Sequence, residues 1–177
     1  MNSRLPAMLA ALGLAIAAPA HAAKTAGDVV DDSTINASIK AALVTNKKTE
    51  AHRINVETYK GIVQVSGFVN SQAEKDEATQ VAAAVSGVKE VRNSIAIGPS
   101  GSVGQKLDDS VTTGRVKAAL IDNKDVKSHQ INVETNAGVV QLSGFVTSDA
   151  MRESAERVAA NVNGVKKVDN ELMIKPR

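Results

Sequence analysis

The chain has 177 residues, no cysteine and a formal net charge of +2. Without cysteine it can make no disulfide, offer no thiolate to a metal and carry no lipid-modified cysteine, which excludes a lipoprotein anchor of that kind. Each half is close to neutral, so neither has the positive excess that drives phosphate-backbone binding, which argues against nucleic acid as a partner.

Residues 1–22 read as an export signal, with Arg4 at a positive start, an apolar run from Leu5 to Ala18, and Ala20-His21-Ala22 as small residues around a cleavage point expected after Ala22. The apolar run falls short of the roughly 20 residues a spanning helix needs. A periplasmic location, without a transmembrane anchor, is the expectation.

Asp31, Asp32 and Ser33 offer capping oxygens ahead of a helical run in which Ile35, Ile39, Ala42 and Leu43 share a face. Ile54 to Tyr59 and Ile62 to Val69 alternate apolar and polar residues around Lys60-Gly61, the pattern of a hairpin. Ser71 and Glu74 have capping-box spacing before a second helix, which Gly87 is expected to end as a C-cap glycine. Val88 to Ile97 then reads as a third strand. The same series recurs from Asp108 to Ile174 at an offset of 77 without a gap, with about half the positions identical. INVET, SGFV and GVK occur in both copies, whereas Met151 replaces the box glutamate and Gly164 matches Gly87.

The implied fold class is α+β, as two tandem αββαβ modules, each a small three-stranded mixed sheet with two helices on one face. Residues 29–98 and 106–176 form the modules. The glycine- and serine-rich segment 99–105 reads as a flexible linker. Strand parity turns Ile54, Val56, Val63, Val65, Val69, Val91, Ile95 and Ile97 toward the helices. Gly67 and Gly144 lie on that inner face, where their expected role is to make room for a helix. Asn93 and Asn170 also point inward and need partners, expected among backbone groups at a helix end or strand edge.

No catalytic or metal constellation emerges. His52 and His129 recur without a second ligand at metal spacing, Ser66 and Ser143 lack a histidine partner in the pattern, and Glu57 and Glu134 are lone carboxylates. A non-enzymatic protein without cofactor is expected. Phe68 and Phe145, the only phenylalanines, fall on the outer sheet face with Tyr59, Gln64 and Ser66. They are candidate partner contacts, with packing against each other or under the linker as the alternative. Lys166 and Lys167 form a candidate basic patch for an anionic membrane surface, against the ordinary reading of a solvated strand end.

The runs GIVQVSGFV and GVVQLSGFV, each followed by a serine-started helix and then by SGVKEVRNSIAI or NGVKKVDNELMI, resemble the BON domain family across essentially the whole mature chain. The resemblance extends to tandem-domain, osmotically inducible periplasmic members. It implies an αββαβ fold, a role in envelope maintenance or osmotic stress, and phospholipid interaction. The anchoring cysteine of the family's dual-domain lipoproteins is absent, and Phe68 and Phe145 stand where the family often has a smaller polar residue. The leading reading is a binding protein that weakly engages phospholipid or the membrane surface through its two modules. The alternative is a chaperone-like or scaffolding protein that holds exported polypeptides through open sheet faces and strand edges.

Overall fold

The computed structural model describes residues 31–99 and 101–176, so the export signal expected over 1–22 lies outside the described residues. The first module runs α1 (Asp32–Thr45), a 3-10 turn (Ala51–Arg53), β1 (Ile54–Tyr59), β2 (Ile62–Val69), α2 (Gln72–Ala83) and β3 (Glu90–Ile97). The second runs α3 (Val103–Asp122), a 3-10 turn (Ser128–Gln130), β4 (Asn132–Asn136), β5 (Val139–Val146), α4 (Asp149–Ala160) and β6 (Lys167–Ile174).

Each sheet is mixed. The central strand β2 pairs antiparallel with β1 and parallel with β3, and β5 does the same between β4 and β6. The antiparallel pair needs only a two-residue turn, whose residues all have positive φ: Lys60 (52°) and Gly61 (80°) in one copy, Ala137 (54°) and Gly138 (81°) in the other. A helix carboxylate holds that turn. Asp32 accepts from the N–H groups of Lys60 (2.6 Å) and Gly61 (2.8 Å), and Asp109 accepts from Ala137 (2.8 Å) and Gly138 (2.9 Å). The parallel pair needs a crossover, which α2 or α4 supplies.

The inner faces form two separate apolar cores. Ile35, Ile39 and Leu43 of α1 meet Val56, Val63, Val65, Val69 and Ile95 of the sheet and Ala78 and Ala82 of α2. Val116 and Leu120 of α3 meet the matching set in the second module. Small alanines at the α2 contact let helix and sheet approach closely.

Several expectations need correction. Ile97, the last residue of β3, is inward by parity but 54% exposed. Both third strands begin two residues later than their pattern implied, at Glu90 and Lys167. Gly87 does not cap α2, which ends at Ala83 with Ala84 in the cap position; with φ 94° it turns the chain toward β3, and Gly164 (φ 100°) does so after α4. The stretch 99–105 is not all linker. Ser102 caps α3 by accepting from the Gln105 N–H (3.3 Å), so Val103 to Gln105 form its first turn and α3 has 20 residues against 14 in α1.

Candidate functional site

The outer faces of the two sheets pack against each other. Gln64, Ser66 and Phe68 of β2 are buried, as are Gln141, Ser143 and Phe145 of β5, although each lies on the face away from its own core. The hydroxyls of Ser66 and Ser143 share a hydrogen bond of 2.8 Å. Around them the bonds are reciprocal. The Gly67 N–H donates to Gln141 Oε1 (2.6 Å) and the Gly144 N–H to Gln64 Oε1 (2.8 Å). Gln64 Nε2 donates to the Glu171 carbonyl (2.6 Å), and Gln141 Nε2 donates to the Ser94 carbonyl (2.7 Å). Farther out, Asn55 donates to Glu134 (3.2 Å) and Asn132 to Glu57 (2.9 Å). Each side chain in these hydrogen bonds is matched by the same residue type 77 positions away, so the hydrogen-bonded interface has an approximate two-fold axis through the serines.

Gly67 and Gly144 have a different cause from helix clearance. Their φ angles are 117° and 123°, and a Cβ there would stand 2.1 Å from the Arg53 carbonyl oxygen or 2.2 Å from that of Gln130. Both obstacles are backbone entering β1 or β4. The positive φ, open to glycine at little cost, leaves the N–H to the sister module's glutamine. The same two glycines therefore serve strand geometry and docking together.

The aromatic candidates lie inside this interface. Phe145 stacks at a tilt on Tyr59 with ring centroids 5.7 Å apart, and the ammonium groups of Lys60 and Lys175 approach the Tyr59 ring at 5.7 and 5.3 Å. At the opposite end Asn136 takes the position of Tyr59, beside Phe68 and Gly98, and donates to the Pro99 carbonyl (3.3 Å). Phe68 and Phe145 are 8% and 6% exposed, so they present no open face to a lipid or a client. The structure places them in the packed alternative, although against the sister sheet and not ring to ring.

The basic candidates do not converge. Lys166 Nζ turns back to the Ala137 carbonyl of its own hairpin (3.2 Å), as Lys89 does to Lys60 (3.1 Å), while Lys167 pairs with Asp169 (2.5 Å). Asn93 and Asn170 are structural joints between strand and helix. Asn93 donates to the Lys75 carbonyl (3.1 Å) and accepts from the Ile95 N–H (2.9 Å), and Asn170 donates to the Arg152 carbonyl (3.0 Å) and Glu156 (2.9 Å). Those carbonyls lie in the first turns of α2 and α4, and the Ile95 N–H lies on the edge strand β3. His52 and His129 are exposed, and among the described residues no group of histidine, aspartate or glutamate is arranged to hold a metal ion.

With the sheets spent on each other, most of the exposed large aliphatic side chains among the described residues lie on α3. Val103, Leu107, Val111 and Ile121 are 78, 64, 51 and 68% exposed. Gly104, Gly114 and Ala118 are exposed with them, and nothing stands within 4 Å of a Cβ built at either glycine. At 3.6 residues per turn these residues share one stripe, opposite Thr112, Val116 and Leu120, which face the core. Lys106 and Lys117 border it on one side, Asp108 and Arg115 on the other. In α1 the positions of Val111 and Ile121 hold Thr34 and the exposed Val44, so the stripe belongs chiefly to the second module. Among the described residues no helix is long and apolar enough to cross a membrane. The stripe was legible in sequence as the spacing of Leu107, Val111, Gly114, Ala118 and Ile121, four and three residues apart in turn. Gln64 and Gln141 were signalled too, by their retention on the outer face in both copies.

Comparison with known proteins gives a consistent family. The BON domain model matches residues 31–99 and 108–176. Osmotically-inducible protein Y of Escherichia coli K12 is 43% identical over 151 residues, covering 84% of this chain and 75% of that protein. The outer membrane lipoprotein DolP of Haemophilus influenzae is 34% identical over 146 residues, with 82% and 75% covered. Among solved structures, CdsD, a structural protein of the type III secretion system of Chlamydia trachomatis, aligns with a TM-score of 0.34 and 14% identity, over 84% of this chain and 65% of that one.

Proposed function

Because the chain belongs to the BON domain family, we propose that it is a non-enzymatic protein of the bacterial periplasm, acting in envelope maintenance under osmotic stress and weakly engaging the membrane surface. The relatives named for osmotic induction and for the outer membrane support the compartment and the setting. One observation carries the binding: the exposed stripe of Val103, Leu107, Val111 and Ile121 on α3, bordered by Lys106 and Lys117. A helix with an aliphatic face and flanking lysines suits the boundary between headgroups and acyl chains. Burying such a side chain contributes at most ~1.5 to 3 kcal/mol, and the cost of association reduces the total, so a weak and reversible contact is expected. Client capture through open sheet faces has less support, since those faces cover each other.

The test is flotation of the protein with vesicles of phosphatidylethanolamine and phosphatidylglycerol, beside the double variant Leu107→Asp, Val111→Asp. The parent should float and the variant should remain at the bottom with an unchanged thermal midpoint, since both side chains are exposed. Equal flotation of the two, or no flotation of the parent, would remove α3 as the membrane contact.

A further inference from the structure

The contact between the modules has a property that neither membrane binding nor family membership requires. Its hydrogen-bonding groups come from the same residues on both sides, glutamine to glycine N–H and to a strand carbonyl, asparagine to glutamate, and serine to serine on the axis. Nothing in that pattern depends on the two modules belonging to one chain. The buried centre is also polar. Gln64, Ser66, Gln141 and Ser143 can return to water when the faces part, whereas separating two aliphatic cores would expose surface with no such compensation. The tether is short, from Gly98 after β3 to the Ser102 cap of α3. Its described contacts are the Gly98 N–H to the Val69 carbonyl (3.0 Å) and Asn136 to the Pro99 carbonyl (3.3 Å).

We propose that the docked sheet face is an interface for a second copy of this chain: two copies exchange modules, and the Gln64 face of each closes on the Gln141 face of the other. The exchanged dimer contains two interfaces of the kind that each monomer holds once, so no contact is lost in the exchange. What separates the two states is the effective concentration the tether provides. A tether long enough to let the faces meet favours the monomer, and one too short to reach favours the dimer.

The experiment uses the full chain and exploits its lack of cysteine. Deleting residues 99–101 removes roughly 10 Å of reach. Light scattering after size exclusion should then show the mass doubled, and adding Gln64→Ala with Gln141→Ala should return it to the monomer. A well-folded monomeric deletion variant, or a dimer indifferent to the glutamines, overturns the proposal. A second measurement needs no deletion, in case the shortened chain does not fold. Full-length Ser66→Cys and Ser143→Cys variants are mixed at high concentration under slow oxidation. An interchain disulfide joining the two different variants should accumulate about tenfold above the crosslinks formed by either alone, since each exchanged dimer brings position 66 of one chain to position 143 of the other. Failure of the mixed product to form, or preferential crosslinking of each variant to itself, overturns it equally.

Discussion

The two modules share a backbone plan but close one corner of it with opposite chemistry. In the first module the loop after α1 and the start of α2 are joined by polar groups. Glu74 is 7% exposed and accepts from the N–H groups of Glu50 (2.7 Å) and Asn70 (3.3 Å), while its own N–H donates to the Ser71 cap (3.2 Å). Thr49 donates to the Leu43 carbonyl (2.7 Å), and Glu77 accepts from Asn46 (2.8 Å) and Lys48 (3.1 Å). In the second module Met151, Val126 and Ser154 replace Glu74, Thr49 and Glu77, and Met151 and Val126 join the apolar core. A loop can therefore be held to a helix end by a buried carboxylate or by burying apolar surface. The two devices differ in what breaks them: one fails when a partner is removed, the other when volume is lost.

The largest expected effect tests what the modules have in common. Gly67→Val and Gly144→Val should each cost more than about 3 kcal/mol, because a branched side chain meets backbone and is held at positive φ. Urea denaturation of the full chain would measure both. A loss at one glycine several times that at the other would break the equivalence of the two strands.

Next comes the corner itself. Glu74→Met should lose about 1 to 2 kcal/mol by removing the carboxylate that accepts from the N–H groups of Glu50 and Asn70. Adding Thr49→Val converts the corner toward the apolar version and should cost less than the sum of the separate changes, a coupling that a double-mutant cycle reads directly. Strict additivity would mean that the corner does not act as a unit.

A smaller effect should appear at the ends of the interface, where Tyr59 meets Phe145 but Asn136 stands in the matching place. Tyr59→Asn makes the two ends alike and should cost about 1 kcal/mol. The loss should be seen in the docked protein, with amide exchange faster on β2 and β5 than in the parent.

The smallest effect concerns pH. Hydrogen bonds from Asn46 and Lys48 hold the Glu77 carboxyl below the usual carboxylate range. A group with a lowered folded-state pKa contributes its stabilisation above its ordinary value and loses it as pH falls through the lowered one. Glu77→Gln should thus lower stability slightly at neutral pH, leave it nearly unchanged below the lowered pKa, and so flatten the acid side of the stability profile. Because the carboxylate is at the surface, a high-salt titration should shrink the difference. The corresponding change at Ser154, to Ala, should leave the pH profile as it was.

Much of the fold was legible because it is written locally. The alternation in β1 and β2, the Lys60-Gly61 turn, the Ser71 and Ser148 caps and the alanine stripe of α2 each express a short-range rule, and the duplication states every rule twice. The end of α2 departs from its local pattern because a glycine near a helix end can serve a following turn as well as a cap, and local pattern does not separate the two. The linker departs from its pattern for a similar reason. Gly104 argues against a helix, yet the Ser102 cap and the continuing run of α3 overcome its propensity cost of about 1 kcal/mol.

Parity alone placed Phe68, Ser66 and Gln64 on the outer face, and the structure keeps them there. What covers that face lay beyond any local rule. A polar strand face with one aromatic is compatible with water, a membrane, a client or another sheet, and the choice is made by groups 47 to 107 positions apart that meet only after both modules fold. The side-chain period decides which way a residue points, because it follows from the covalent geometry of neighbouring residues. Tertiary structure decides what it meets, because docking depends on shape, on reciprocal hydrogen bonds and on the reach of the tether between Gly98 and Ser102.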